Sequence, residues 1–151
     1  MKKDWVRSLA IPLIAIPLGG LFMMALTFVV YALLFNLLET WFFPNNSLGF
    51  PADTFRRNFA LTLVLLYLLL MRGRLPDLLK AILLTAPLST VIITVGHAFY
   101  MRPTVSISAM FVTVILCGLL LLRFKKPWVY YYAGAVASLV ALVYAWPRPF
   151  G

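Results

Sequence analysis

Residues 58–71 read NFALTLVLLYLLLM, and whether these 14 residues cross a bilayer decides the fold. A spanning helix needs about 20 mostly apolar residues, so the run is short by itself. Starting the helix near Ala52 supplies the missing length, with Arg56 and Arg57 reaching back to the interface as headgroup or loop contacts. One apolar block precedes this run, at residues 8–43, and three follow it, at 81–99, 104–122 and 127–146. The expected fold is an all-α integral membrane protein in a single domain, residues 1–151. It is a bundle of about five transmembrane helices, or four if the short second span does not cross.

Charge placement separates the two counts. With five crossings and a cytoplasmic N-terminus, Lys2, Lys3, Arg7, Arg72, Arg74, Lys80, Arg123, Lys125 and Lys126 fall inside, and Arg56, Arg57, Arg102 and Arg148 outside. That split is nine to four, whereas four crossings would leave five inside and eight outside. Cytoplasmic loops carry the excess of Lys and Arg, so five crossings are favoured, with the N-terminus inside and the C-terminus outside a cell membrane, most naturally a bacterial cytoplasmic one. The spans are then approximately 18–38, 56–71, 81–99, 104–122 and 127–146. Aromatic residues agree with these ends: Trp5, Trp41, Tyr100, Trp128 and Trp146 lie near predicted interfaces.

The first block is too long for one span and too short for two. Its 36 residues would extend about 54 Å as a helix, against a hydrocarbon core of roughly 30 Å. Pro12 and Pro17 each remove a helical hydrogen bond, so residues 1–17 are expected to be a kinked or interfacial segment. Between the first two spans, residues 39–55 form the expected outer loop, with turn formers at Pro44, Asn45, Asn46, Gly49 and Pro51 among several phenylalanines.

Composition leads to the same class. Hydrophobic residues make up 64% of the chain and charged residues only 11%, where a soluble domain carries about 25%. The net charge of +9 comes from short basic clusters between apolar blocks, a pattern that matches lipid headgroups and not nucleic acid. Cys117 is the lone cysteine, set in an apolar run, and reads as a packing residue. There is one histidine, His97, and no motif for binding nucleotide, metal or haem, so no cofactor is expected.

Three features could carry function. Ala133, Ala137 and Ala141 recur every four residues, making a small-residue face suited to packing within the bundle or to docking another protein. The spans at 81–99 and 104–122 should form an antiparallel hairpin. Thr85 and Ser89 on one, and Ser106 and Thr113 on the other, form a polar stripe that either bonds to helix carbonyls or lines a path. The third feature is His97, placed at the outer end of its helix near Tyr100 and Arg102. Asp53 and Glu39 belong to the same side, so His97 with either carboxylate is the one pairing open to acid–base chemistry. The alternative is a histidine that simply meets headgroups.

The stretch Phe50-Pro51-Ala52-Asp53 resembles the second aspartate motif of lipoprotein signal peptidases, which are also small polytopic proteins. The companion asparagine–aspartate motif is missing, so no activity is carried over. No Asp or Glu lies in the middle of a span, where ion-coupled transporters generally keep one. The expected role is a non-enzymatic accessory, assembly or partner-binding subunit of a membrane complex. It would contact the bilayer and either a protein partner or further copies of itself. The alternatives are a small oligomeric transporter or channel using the central hairpin, and a lipid-acting enzyme at the outer face.

Overall fold

The structure, a computed structural model, describes residues 2–42 and 51–146. Five helices make up the described chain: α1 (Lys2–Phe42), α2 (Ala52–Arg72), α3 (Asp77–Ala98), α4 (Pro103–Arg123) and α5 (Trp128–Ala145). Proline sets four of the five helix starts. Pro51, Pro76 and Pro127 occupy the caps of α2, α3 and α5, and Pro103 opens α4. The ring fixes φ near the helical value, and the missing N–H would be unpaired there anyway.

All five helices carry an apolar stretch long enough to cross a bilayer. The short run at 58–71 is extended upstream, so α2 reaches 21 residues, about 32 Å. Helix directions alternate. Gly20 meets Thr85 while Ile16 shares a cluster with Ala81, so α1 and α3 run parallel. The Tyr31 and Phe35 rings of α1 pack on Phe59 and Phe55 of α2 in reversed order, so that pair is antiparallel. Ser106 bonds Gly96 across the α3–α4 hairpin. Asp77 meets Tyr130 and Gly96 meets Ala145, so α5 runs with α3.

α3 is the hub, in contact with every other helix. Accordingly 44% of its span is buried, against 6% for α2 and 11% for α4, whose remaining surfaces are covered with leucine, valine and phenylalanine for lipid. Two apolar clusters form the core. One gathers Ile16, Ala81, Leu84, Val129, Tyr130 and Ala133; the other gathers Leu88, Ile92, Met110, Ala137 and Ala141. In lipid there is little hydrophobic drive between helices, so close backbone approach at small residues supplies the cohesion. Gly19 and Gly20 do this on α1: an added Cβ would come to 3.0 Å from Ile82 and from Thr85 respectively.

Residues 2–17, in the stretch expected as a kinked or interfacial segment, belong to the first helix. α1 continues through Pro12 and Pro17 as one 41-residue helix, and Ile16 is fully buried in the bundle. Pro17 has no N–H for the Leu13 carbonyl four residues back, and the Tyr132 hydroxyl of α5 donates to that carbonyl instead, at 3.3 Å. A neighbouring helix thus supplies the bond that proline withholds. Helix also replaces both ends of the expected loop at 39–55, since α1 extends to Phe42 and α2 starts at Ala52. Pro44, Asn45, Asn46, Gly49 and Arg148 lie outside the described residues.

Candidate functional site: a polar cleft at one end of the bundle

The two ends of the bundle are chemically different. At one, α2 finishes and α3 and α5 begin. There Lys80 donates to the Met71 carbonyl at 3.1 Å, capping the last turn of α2. The Tyr130 hydroxyl donates to Asp77 at 3.2 Å, and the Lys126 ammonium lies over the Tyr130 ring. These contacts tie helix ends together.

At the other end, α2 and α4 begin and α3 and α5 finish. A cleft of about 270 Å³ opens there, lined by Asp53, Arg56, Arg57, Thr94, His97, Ala98, Tyr100 and Met101. The first turn of α2 supplies one wall and the last turn of α3 the other. Arg56 reaches Asp53 at 3.5 Å, one turn away on the same helix. Arg57 is exposed and has no ion pair among the described residues. The imidazole of His97 stacks on Tyr100, with ring centroids 5.8 Å apart. These two rings also border a second cleft of about 260 Å³, whose other walls are Ile93, Gly96, Tyr144, Ala145 and Trp146. One cleft is therefore lined by Asp and Arg, whereas its neighbour has none of these in its lining, with the stacked pair between them.

Of the residues expected to meet, the structure brings together His97, Asp53, Arg56 and Arg57 but not Glu39. The helix register explains this. Gly20 faces Thr85, so the level of His97 on α1 falls near Ala32. Glu39 lies about 10 Å further along α1, past the end of α3.

The hydroxyls of the expected polar stripe are turned onto backbone carbonyls. Thr85 donates to Ile82 at 2.6 Å, with the Gly20 carbonyl at 3.4 Å. Ser89 donates to Ala86 at 3.0 Å and Thr113 to Ala109 at 2.8 Å, both within their own helices. Ser106 crosses between helices, donating to Gly96 at 2.7 Å, as the longer Thr85–Gly20 contact also does. Ala133, Ala137 and Ala141 are fully buried in the two core clusters. Sequence reasoning gave no special place to Thr94, whose hydroxyl is the one buried side-chain oxygen without a partner among the described residues. Its position on α3, one turn before His97, was the signal that could have singled it out.

The fold and the cleft define a class: a multi-pass helical membrane protein with a polar recess at one end of the bundle. Comparison with known families, curated proteins and solved structures finds no match to the chain.

Proposed function

We propose that the protein is a non-enzymatic accessory, assembly or partner-binding subunit of a membrane complex, set in a bacterial cytoplasmic membrane with its N-terminus in the cytoplasm. The observation that carries this reading is the state of the bundle's middle. α3 has no Asp, Glu, Lys or Arg between Lys80 and His97. Its Thr85, Ser89 and Thr90 hydroxyls are already bonded to helix carbonyls. A path for ions or protons needs groups free to exchange partners near the midplane, and these are committed. What remains for function is surface: lipid-facing rows on α1, α2 and α4, and the cleft at one end. Mild-detergent extraction at native expression should yield a stoichiometric companion. A monodisperse chain with no companion would overturn the assignment.

One observation favours a second reading, a lipid-acting enzyme. His97 and Asp53 share the cleft, so a carboxylate and an imidazole face the same small volume. If they form an acid–base pair, His97→Ala and Asp53→Ala abolish turnover of a phospholipid while the bundle stays folded. Transport along the hairpin is separated by thiol labelling of Ser89→Cys and Thr113→Cys in a chain lacking Cys117. Inaccessibility under all conditions excludes it.

A further inference from the structure

We infer that the cleft between α2 and α3 is a binding site for a phosphate group, carried either by a phospholipid headgroup or by a small soluble phosphate. The inference goes beyond an accessory role and requires no chemistry from His97.

Charge is the first support. Two guanidiniums against one carboxylate leave the lining with a net charge of +1 when His97 is neutral. Asp53 engages Arg56 alone, so Arg57 is left to take an incoming anion. Its planar fork of N–H donors suits phosphate oxygens, which accept two parallel bonds. The first turn of α2 adds to this. Pro51 makes no side-chain cap there, and the positive end of the helix dipole points toward the α1–α2 connection.

Thr94 is the second, independent support. Thr85, Ser89, Thr90 and Thr113 all close on carbonyls three or four residues back, yet Thr94 does not. A buried hydroxyl without a partner is a standing cost that an occupant can remove. Thr94 belongs to the lining of this cleft, nearly one turn deeper than His97. Its hydroxyl oxygen is shut off from the cleft as it stands, so a phosphate held by Arg57 at the mouth would reach it only after the threonine side chain turns the hydroxyl into the cleft. Tyr100 and His97 line the same space.

The adjoining cleft, which has apolar residues in part of its lining, bears on which molecule brings the phosphate. Ile93, Ala145 and Trp146 lie just across the His97–Tyr100 pair, where an acyl chain could descend beside the headgroup. A free phosphate would leave that cleft unused.

The full-length protein is released from nanodiscs of equal phosphatidylglycerol and phosphatidylcholine, and retained lipid is read by native mass spectrometry. The expected result is preferential retention of phosphatidylglycerol. Arg57→Gln should lower that retention about tenfold, and Thr94→Val should lower it with the melting temperature unchanged or raised. Arg102→Gln removes a charge at the same end but outside the cleft lining, and should leave retention as it was. Competition by millimolar inorganic phosphate identifies the phosphate group alone as sufficient. Failure of inorganic phosphate to compete, with the Arg57 and Thr94 effects intact, assigns the acyl chain a share of the site. Retention of both lipids unaffected by Arg57→Gln overturns the inference. None of these results depends on a protein companion, so the site and the accessory role stand or fall separately.

Discussion

At the scale of single residues, two positions have consequences that the residue type alone would not suggest. A Cβ at Gly96 would sit 2.6 Å from the Met110 sulfur and 3.4 Å from the Ala145 methyl. Met110 is fully buried, so its side chain has no open space to swing into. Gly96→Ala should therefore destabilise the bundle by about 1–3 kcal/mol, the usual cost of overpacking, measured by reversible unfolding in mixed micelles. Gly118→Ala is the matched control, because nothing lies within 4 Å of its added Cβ. It should be neutral or slightly stabilising. Lys125 is the second position. The chain leaves α4 with Lys126 N–H on the Leu121 carbonyl and Lys125 N–H on that of Leu122, while Lys125 itself takes φ = 47°. That pattern usually places glycine at the left-handed residue. Lys125→Gly should stabilise the folded chain by up to about 1 kcal/mol in the same assay. A lysine here is consistent with charge placement taking precedence over backbone ease in a loop expected to face the cytoplasm.

At the scale of helices, α1 shows what can and cannot be read before folding. Its length and its two prolines were plain in the sequence, and each proline does withhold a hydrogen bond. The Leu13 carbonyl that Pro17 leaves free is met by Tyr132, more than a hundred residues away, whose hydroxyl reaches it. No local pattern announces such a partner. Tyr132→Phe should cost about 0.6 kcal/mol, typical of hydrogen bonds between helices in membranes. In a Pro17→Ala background the cost should vanish, because an alanine at that position restores the amide that bonds the Leu13 carbonyl. Additive effects in that double-mutant cycle would show that Tyr132 acts through something else. The same limit applied at the cleft. Asp53, Arg56 and His97 were legible as residues of one side, since alternation of spans assigns each helix end to a face. Which of them converge depends on how α1, α2 and α3 are registered, and that register comes from Gly19 and Gly20 against α3 and from the rings between α1 and α2. It carried Glu39 past the cleft and left Thr94 inside it.

At the scale of the whole molecule, alternation of helix direction and the distribution of charge make one joint prediction. α1, α3 and α5 run one way and α2 and α4 the other, so Lys80, Arg123, Lys125 and Lys126 share an end with the start of α1. Arg56, Arg57 and Arg102 lie at the opposite end with the cleft. The nine-to-four division of basic residues then predicts a bundle oriented with the cleft outside, because insertion retains Lys- and Arg-rich segments in the cytoplasm. Cys117 is the lone native thiol and can be replaced by alanine, so one introduced cysteine reports a position without ambiguity. Met101 and Phe124 suit this purpose: both are well exposed, at 93% and 67%, they lie in the connections at opposite ends of α4, and neither carries charge that would disturb insertion. In intact cells a membrane-impermeant maleimide should label Met101→Cys, and it should reach Phe124→Cys only after permeabilisation. The reverse pattern would place the cleft in the cytoplasm. A phosphate bound there would then have to come from the inner leaflet or from the cytosol, so this measurement also determines which pool of ligand the Arg57 site can draw upon.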